Sequence, residues 1–381
     1  MKILQVLPDM QAGGVEVEAA IVARGIRDRG HGSYVAAHTD RMIHGEPDIG
    51  FLALDLRSKN PLHILVNGVL LARLATRLGI DLFHVRSRAP AWSVLLASKL
   101  SRIPFISTWH STFGLDKLGF KKLYNGIMAR GRYVISISGF ITEYIRGNYD
   151  VDAEKIVQID RGIDLRQFSL EHRPATTRAA LGLPENARLI GSLGRISSSW
   201  KGFDILVAAL PYLPADMHLV IAGSDPKGKK VELAGLAATL GVSARLHFVA
   251  HLPSVLDFIA LCEMGASGVV KGEAFGRTAI EFQAMGKPFF GSDLGAFREN
   301  VSYGALFEPG NAQDLAAKIQ AFLAEEAALP EAQRLARRRA AHEFVREKYN
   351  QETMVDRTVA LYEKVLREVR DGAVLRSGER G

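Results

Sequence analysis

Residues 2–29, KILQVLPDMQAGGVEVEAAIVARGIRDR, carry the pattern that decides the fold. The apolar run at 3–7 predicts a buried strand, and a helical pattern follows from 15 to 29. Between them lie Gly13 and Gly14, which lack Cβ atoms and allow backbone amides to approach a phosphate at the helix start. The spacing is not G-x-G-x-x-G, which counts against a nicotinamide enzyme.

The same alternation of strand and helix runs along most of the chain. In the first half, further strands are predicted at 33–37, 82–85, 105–108 and 133–136, with a helix at 64–78. In the second half, strands are predicted at 189–192, 218–222, 245–249, 264–269 and 288–292. Such alternation implies parallel sheets covered by helices on both faces. The polar segment 169–187 contains Pro174 and Pro184 and predicts a linker.

Charge is distributed unevenly between the two halves. The chain of 381 residues has 48 Lys and Arg against 41 Asp and Glu, and residues 1–150 hold 19 of the basic and 12 of the acidic residues. The whole excess of seven positive charges therefore lies in the first part. A basic half-protein suggests an anionic partner, whether nucleic acid, a membrane surface or a phosphorylated substrate, and a plain basic surface is the alternative.

Composition predicts a soluble cytoplasmic protein. Hydrophobic residues make up 48% and charged residues 23% of the chain. No stretch reaches the roughly 20 apolar residues of a membrane-spanning helix. The first residues are too soon interrupted by Pro8 to form a signal peptide. The single cysteine, Cys262, excludes an intrachain disulfide and suits a reducing compartment.

Two segments of the second half contain residues suited to a nucleotide diphosphate and a sugar. Arg195 and Lys201 lie in a loop after a predicted strand, where two cations can neutralise a diphosphate. Glu273 lies in a later loop, and Glu281 lies about one turn into the next helix. Carboxylates at these positions can accept hydrogen bonds from hydroxyl groups of a sugar or a ribose.

The ordered motifs resemble those of the retaining glycosyltransferases of family 4, group 1, which have the GT-B fold. Glu273 and Glu281 match the E-x7-E motif, and residues 286–288 and 295–299 match its continuation. Residues 194–202 match the diphosphate-binding GR…KG. The matches to GG-x-E and to the segment that closes the first domain are residues 13–16 and 162–168.

The resemblance implies two Rossmann-like α/β domains whose parallel sheets face a central cleft. The first, residues 1–168, is expected to bind the acceptor. A linker at 169–187 leads to the nucleotide-sugar domain at 188–350. Residues 351–381 are expected to form a helix that packs back on the first domain.

The resemblance also assigns roles to single residues. Arg195 and Lys201 are expected to hold the donor diphosphate, with Gly13 and Gly14 also on the donor side. The donor sugar is expected to contact Glu273 and the amides of Phe275 and Gly276, and the ribose to contact Glu281. His110, in the segment Ser107–Ser111, matches the histidine that such enzymes point at the donor sugar; a core histidine is the alternative.

Two departures from the family pattern are visible. Arg161 stands where asparagine is common, and the loop from Arg195 to Lys201 is one residue longer than its commonest form.

Several features point to an envelope acceptor. The stretch 84–93 resembles members assigned to lipopolysaccharide or other envelope polysaccharides. Glu16, Arg86, Arg88 and Arg161 are candidate acceptor-binding residues, since arginines suit a phosphorylated glycan or glycolipid; structural arginines are the alternative. Basic and apolar residues alternate from 115 to 130, which favours contact with the anionic inner membrane on its cytoplasmic face.

These features predict a metal-independent retaining hexosyltransferase without a cofactor, using a UDP-, GDP- or ADP-sugar. Arg195 and Lys201 supply the charge that a metal would otherwise bring. A GT-B epimerase or phosphorylase and a non-catalytic nucleotide-sugar-binding regulator are the alternatives. A nucleic-acid partner is not expected, because it would leave the motifs of the second half unexplained.

Overall fold

The computed structural model describes the chain except residues 12, 115–118, 197–198, 251, 253 and 379–381, and the side chains at 199 and 373–378. The chain divides into two compact units. The first unit comprises Met1–Gly162 with Gln351–Gly381, and the second comprises Ile163–Asn350.

The first unit is built on a parallel sheet of seven strands. They are β1 Lys2–Val6, β2 Gly32–Ala37, β3 Ile49–Ala53, β4 Leu82–Val85, β5 Phe105–Trp109, β6 Val134–Ser136 and β7 Ile156–Gln158. Their spatial order is β3-β2-β1-β4-β5-β6-β7. Five helices connect them: α1 Gly14–Asp28, α2 Pro61–Leu78, α3 Arg88–Ser101, α4 Phe120–Asn125 and α5 Gly139–Asn148.

The second unit repeats this plan with six parallel strands in the order β10-β9-β8-β11-β12-β13. They are β8 Arg188–Leu193, β9 Met217–Ala222, β10 Leu246–Val249, β11 Met264–Ser267, β12 Phe289–Ser292 and β13 Gly304–Phe307. Its helices are α6 Phe203–Ala209, α7 Lys229–Thr239, α8 Val255–Leu261, α9 Arg277–Ala284, α10 Phe297–Asn300, α11 Ala312–Ala328 and α12 Glu331–Lys348. The predicted pair of parallel α/β domains is confirmed.

The last helix, α13 Gln351–Gly378, belongs to the first unit. Its side chains Val355, Val359 and Tyr362 join a core cluster with Ile3 of β1 and Val22 of α1. The chain thus returns to its first unit after completing the second.

The boundaries of the units differ from the predicted ones. The division falls after Gly162 instead of Phe168, and the predicted linker 169–187 lies within the second unit. Asp257 of α8 fixes this segment: its carboxylate contacts His172 Nε2 at 2.8 Å and accepts hydrogen bonds from the amides of Ala175 and Thr176. A polar, proline-containing segment therefore packs against its domain because one buried carboxylate binds its backbone.

The amphipathic segment predicted at 115–130 is only partly described, since 115–118 lie outside the described residues. Helix α4 covers 120–125, and a 3-10 turn, Gly126–Arg130, follows. Ile127 and Met128 are buried in that turn. The exposed apolar side chains of the described part are Phe120 and Leu123.

Candidate active site

Four polar residues lie close together in the first unit, and all of them except Glu18 were predicted as site residues. Glu18 lies in α1, Arg86 follows β4, His110 follows β5 and Arg161 lies beyond β7. Strands β1, β4 and β5 are neighbours. Because parallel strands end at the same edge of a sheet, the residues that follow them meet there.

Glu18 is the centre of this cluster. Its Oε1 accepts a 2.7 Å hydrogen bond from Arg86 Nη1, and its Oε2 accepts one from Arg161 Nε. Arg86 Nε also donates to Gln5 Oε1 at 2.7 Å. The Arg86 side chain has 0% exposure and that of Arg161 has 14%. Of the two arginines, Arg161 is therefore the one that a ligand can reach.

Two guanidinium groups surround the Glu18 carboxylate. Burial by itself would raise the pKa of Glu18, but Arg161 and the neighbouring basic side chains lower it to about 2. Glu18 is therefore ionised at neutral pH. His110 adds no charge at neutral pH, because burial, with Arg161 beside it, lowers the pKa of its imidazole well below 6.5.

The hydrogen bond from Arg161 sets the tautomer of His110. Arg161 Nη2 lies 2.8 Å from His110 Nδ1. A guanidinium group can only donate, so Nδ1 accepts and the proton of the neutral ring is on Nε2. Nε2 is buried and has no hydrogen-bond partner among the described residues. His110 therefore presents an N–H donor.

The remaining predicted residues of the first unit lie around this cluster. Gly13 and Gly14 begin α1, and a Cβ at Gly14 would lie 3.2 Å from Arg161 Nη1. The Glu16 carboxylate lies over Gly13. Arg88 Nη1 donates to Asn125 Oδ1 at 2.9 Å, and its guanidinium carbon lies 4.1 Å from the centre of the Phe113 ring.

In the second unit, the loop after β8 meets the loop after β11. Lys201 Nζ lies 3.0 Å from Glu273 Oε2 and 4.2 Å from the centre of the Trp200 ring. Arg195 is exposed, and among the described residues its side chain has no hydrogen-bond partner. Lys201 and Glu273 are thus brought together, whereas Arg195 lies free at the start of the loop. The intervening Ser197 and Ser198 lie outside the described residues.

Two glycines make these loops fit. Gly202 has φ +61°, and a Cβ there would lie 1.7 Å from the carbonyl oxygen of Gly268. Gly295 also has φ +61°, and a Cβ there would lie 2.4 Å from the carbonyl oxygen of Glu273. Side chains at these positions are excluded by both space and conformation. The close approach places Lys201 and Glu273 where they meet.

Helix α9 carries the second carboxylate of the motif. Gly276 is its N-cap, and the buried Glu281 accepts a 2.6 Å hydrogen bond from Arg277 Nε through its Oε1. The carbonyl of Phe275 accepts a hydrogen bond from Asn300 Nδ2, and the Phe275 ring packs edge-on against Tyr349. The start of α9 is thus rigidly held, with one carboxylate before it and one within it.

Sequence reasoning missed two charged residues of these clusters. Glu18 lies on the buried face of α1 beside Ala19, Ala20 and Val22. A carboxylate among buried apolar positions requires a partner, which was the available signal. Arg277 lies four residues before Glu281 on one helix, and this spacing predicts an ion pair between the two side chains.

Two kinds of feature are absent from the described residues. They contain no group of three or more His, Cys, Asp or Glu side chains arranged to hold a metal ion. None of their helices combines the length and the hydropathy needed to cross a bilayer.

Two family models match successive parts of the chain. Residues 12–167 match Glycosyltransferase Family 4, and residues 175–342 match Glycosyl transferases group 1. The D-inositol 3-phosphate glycosyltransferase of Mycolicibacterium gilvum is 36% identical over 169 residues, 42% of this chain and 37% of that protein. The lipopolysaccharide core biosynthesis mannosyltransferase LpsB of Rhizobium meliloti is 27% identical over 230 residues, 58% of this chain and 62% of that protein. The chain spans 37% to 49% of the length of the first curated relatives it matches.

Solved structures share the fold over nearly the whole chain. A glycosyltransferase from Rickettsia africae has a TM-score of 0.85 and 29% identity, covering 96% of this chain and 98% of its own. Anabaena Alr3699/HepE in complex with UDP-glucose has a TM-score of 0.80 and 22% identity, covering 96% and 100%. With both domains matched in order and the fold shared, the chain belongs to the GT-B glycosyltransferases of the family 4, group 1 type.

Proposed function

We propose that the protein is a retaining hexosyltransferase that moves a sugar from a UDP-, GDP- or ADP-sugar to a lipopolysaccharide-type or other envelope glycan. The observation that carries the proposal is the arrangement in the second unit. Lys201 contacts Glu273, and Glu281 follows on the helix that begins between the two carboxylates. This arrangement offers a cation for a diphosphate and two carboxylates for polyols.

Diphosphate departure is the step that the cations serve. As the sugar–phosphate bond breaks, negative charge grows on the leaving phosphate, and Arg195 and Lys201 stabilise it. Lys201 is held by Glu273 before the donor binds. Exchange of this ion pair for the donor frees the Glu273 carboxylate to accept hydrogen bonds from sugar hydroxyls. The two cations make a metal unnecessary in this proposal.

The donor is oriented by the start of α9. The amides of Phe275 and Gly276 donate to the sugar, and Glu281 accepts hydrogen bonds from the ribose through the carboxylate oxygen that Arg277 Nε does not contact. At the start of α1, the backbone amides of Gly13 and Gly14 are assigned to the donor, since glycines let amides approach a phosphate closely. The Nε2–H group of His110 donates a hydrogen bond to the oxygen of a sugar hydroxyl.

The acceptor hydroxyl attacks from the face that the diphosphate leaves. A departing phosphate oxygen removes the hydroxyl proton, the new glycosidic bond forms on the same face, and the configuration is retained. No protein nucleophile takes part. Arg161, whose side chain is 14% exposed, suits an anionic acceptor, and Glu16 and Arg88 carry the same assignment. Acceptors named for the relatives, an inositol phosphate and a lipopolysaccharide core, support this class.

Nucleotide release from a panel of UDP-, GDP- and ADP-sugars, with and without delipidated lipopolysaccharide, tests the proposal. Acceptor-dependent release is expected with one donor, and the product should keep the anomeric configuration of the donor. Lys201→Ala and Glu273→Gln should each lower kcat about 100- to 1,000-fold, as loss of a transition-state partner does. The exposed Lys227 provides the matched control, and Lys227→Ala should leave kcat unchanged.

Three other outcomes would contradict the proposal. Donor binding without release under any acceptor would identify a binding protein. Conversion of the donor sugar to its epimer without transfer would identify an epimerase. Full activity in both variants would remove Lys201 and Glu273 from the reaction.

A further inference from the structure

The outer face of α2 is an apolar surface with basic ends. Leu62, Leu65, Val66 and Leu70 are between 37% and 69% exposed, although large aliphatic side chains usually lie inside. At 3.6 residues per turn these positions lie within about 140° of the helix circumference. The opposite face, with Gly68, Leu71 and Ala75, is buried. The exposed stripe is therefore an additional apolar face that the core does not use.

Basic residues border this stripe along the helix axis. Between Asp55 and Asp81 the chain has four basic residues, Arg57, Lys59, Arg73 and Arg77, and no acidic residue. All four are exposed. Arg73 and Arg77 share the angular position of the apolar stripe, and Lys59 lies just before the N-cap of the helix. The exposed face of α2 is therefore apolar in its middle and basic at both ends, and the basic ends favour an anionic partner.

Neighbouring helices extend the surface. The connections through α2, α3 and α4 all step in one direction across the sheet, so right-handed crossovers place these helices on one side of it. Gly68 of α2 packs against Leu96 of α3, and Trp92 of α3 stacks on Tyr124 of α4. On α4, Phe120 and Leu123 are 71% and 70% exposed and flank Lys121 and Lys122.

We propose that this surface, formed by α2 and α4, docks the protein onto an anionic lipid bilayer. Aliphatic side chains in a plane parallel to the helix axis, with lysines and arginines at their border, match the headgroup region of a bilayer. A nucleic acid would gain nothing from exposed leucines, which cannot stack on bases. A second copy would bring the same basic patch against itself, since a two-fold interface pairs identical surfaces. The inference extends the proposed function, because an envelope glycolipid acceptor would then lie in the docked membrane.

Co-sedimentation of the full chain with lipid vesicles tests the docking surface. Vesicles of phosphatidylcholine mixed with phosphatidylglycerol should bind the protein, and phosphatidylcholine alone should bind it weakly. The variants L65S/V66S, F120S/L123S and R73E/R77E should each bind mixed vesicles at least about tenfold more weakly. The controls are V231S, at a 77% exposed valine of α7, and R334E/R339E on α12, which should bind as the wild type.

Nucleotide release with a soluble acceptor, measured on the same samples, separates the two proposals. Unchanged release in the variants shows that they are folded and active, so weaker vesicle binding reports docking alone. The docking surface is overturned, whatever the release assay shows, if the wild type does not bind mixed vesicles. It is also overturned if all three variants bind these vesicles as strongly as the wild type. A dimer in sedimentation velocity that L65S/V66S dissociates would assign the surface to a second copy instead.

Discussion

Arg161 affects His110 both through a hydrogen bond and through its charge, and one substitution at Arg161 tests its effect on the pKa of His110. Its guanidinium donates to Nδ1 and, by its charge, lowers the pKa of the imidazole. In Arg161→Asn this charge is lost, so the pKa of His110 should rise. We expect kcat/KM of the wild type to vary little between pH 6 and 8, and that of the variant to fall as pH drops through the raised pKa.

A kcat/KM profile from pH 5 to 8 measures this shift. Arg146→Asn is the control: it removes an exposed arginine of α5 that pairs with Glu143, and its profile should match the wild type. Parallel profiles for Arg161→Asn and wild type, even at lower activity, would show that Arg161 does not control the protonation of His110.

Among the secondary-structure elements, the contact between α1 and α13 holds the C-terminal helix to the first unit. A Cβ at Gly25 of α1 would lie 2.3 Å from Val355 Cγ1 of α13. Gly25→Ala should therefore lower the free energy of unfolding by about 1–3 kcal/mol, as overpacking does. Val355→Ala makes room, so the double variant should be less destabilised than the sum of the single ones.

Urea unfolding of the wild type, the two single variants and the double variant measures this double-mutant cycle. Gly235→Ala is the matched control, because Gly235 lies in α7 with open space around its Cβ position. That change should raise stability by up to about 1 kcal/mol through helix propensity. Additive effects of Gly25→Ala and Val355→Ala would contradict the close packing of the two helices.

The strands that sequence patterns did not predict are all edge strands. β3, β7 and β13 each form one edge of a sheet. β7 has three residues, and β3 and β13 are mostly half-buried. A central parallel strand is buried on both faces and gives a continuous apolar run, whereas an edge strand is shorter and partly solvated. The hydrophobic signal is therefore weakest where these strands lie.

For the whole molecule, buried neutral histidines predict acid sensitivity. Burial, the largest cause, lowers the pKa values of His84 and His110 well below 6.5. Below pH 6.5 the unfolded chain binds protons at these residues and the folded chain does not. Stability should therefore be full above pH 6.5 and fall by about 1.4 kcal/mol per pH unit for each histidine below it. The lowered pKa of Glu18 adds a second loss between about 4.5 and 2.

Urea unfolding at pH 5.5 and 7.5 in a Trp200→Phe background follows the first unit through Trp92 and Trp109. His110→Gln keeps an acceptor for Arg161 and removes the proton site, so the difference in stability between the two pH values should shrink by about 1.4 kcal/mol. An unchanged difference would show that His110 is protonated in the folded protein.

The sequence by itself determined the two α/β domains, the order of their motifs and the family, because periodic burial and glycine placement are local properties of the chain. Its motifs also assigned Lys201, Glu273 and Glu281 to one nucleotide-sugar site. Only the tertiary structure decided that Glu18 joins Arg86 and Arg161, which are 68 and 143 residues away, and that Arg161 sets the proton on His110. Strand order and the close approach of strand ends create these pairs, and no local pattern encodes which distant residues meet.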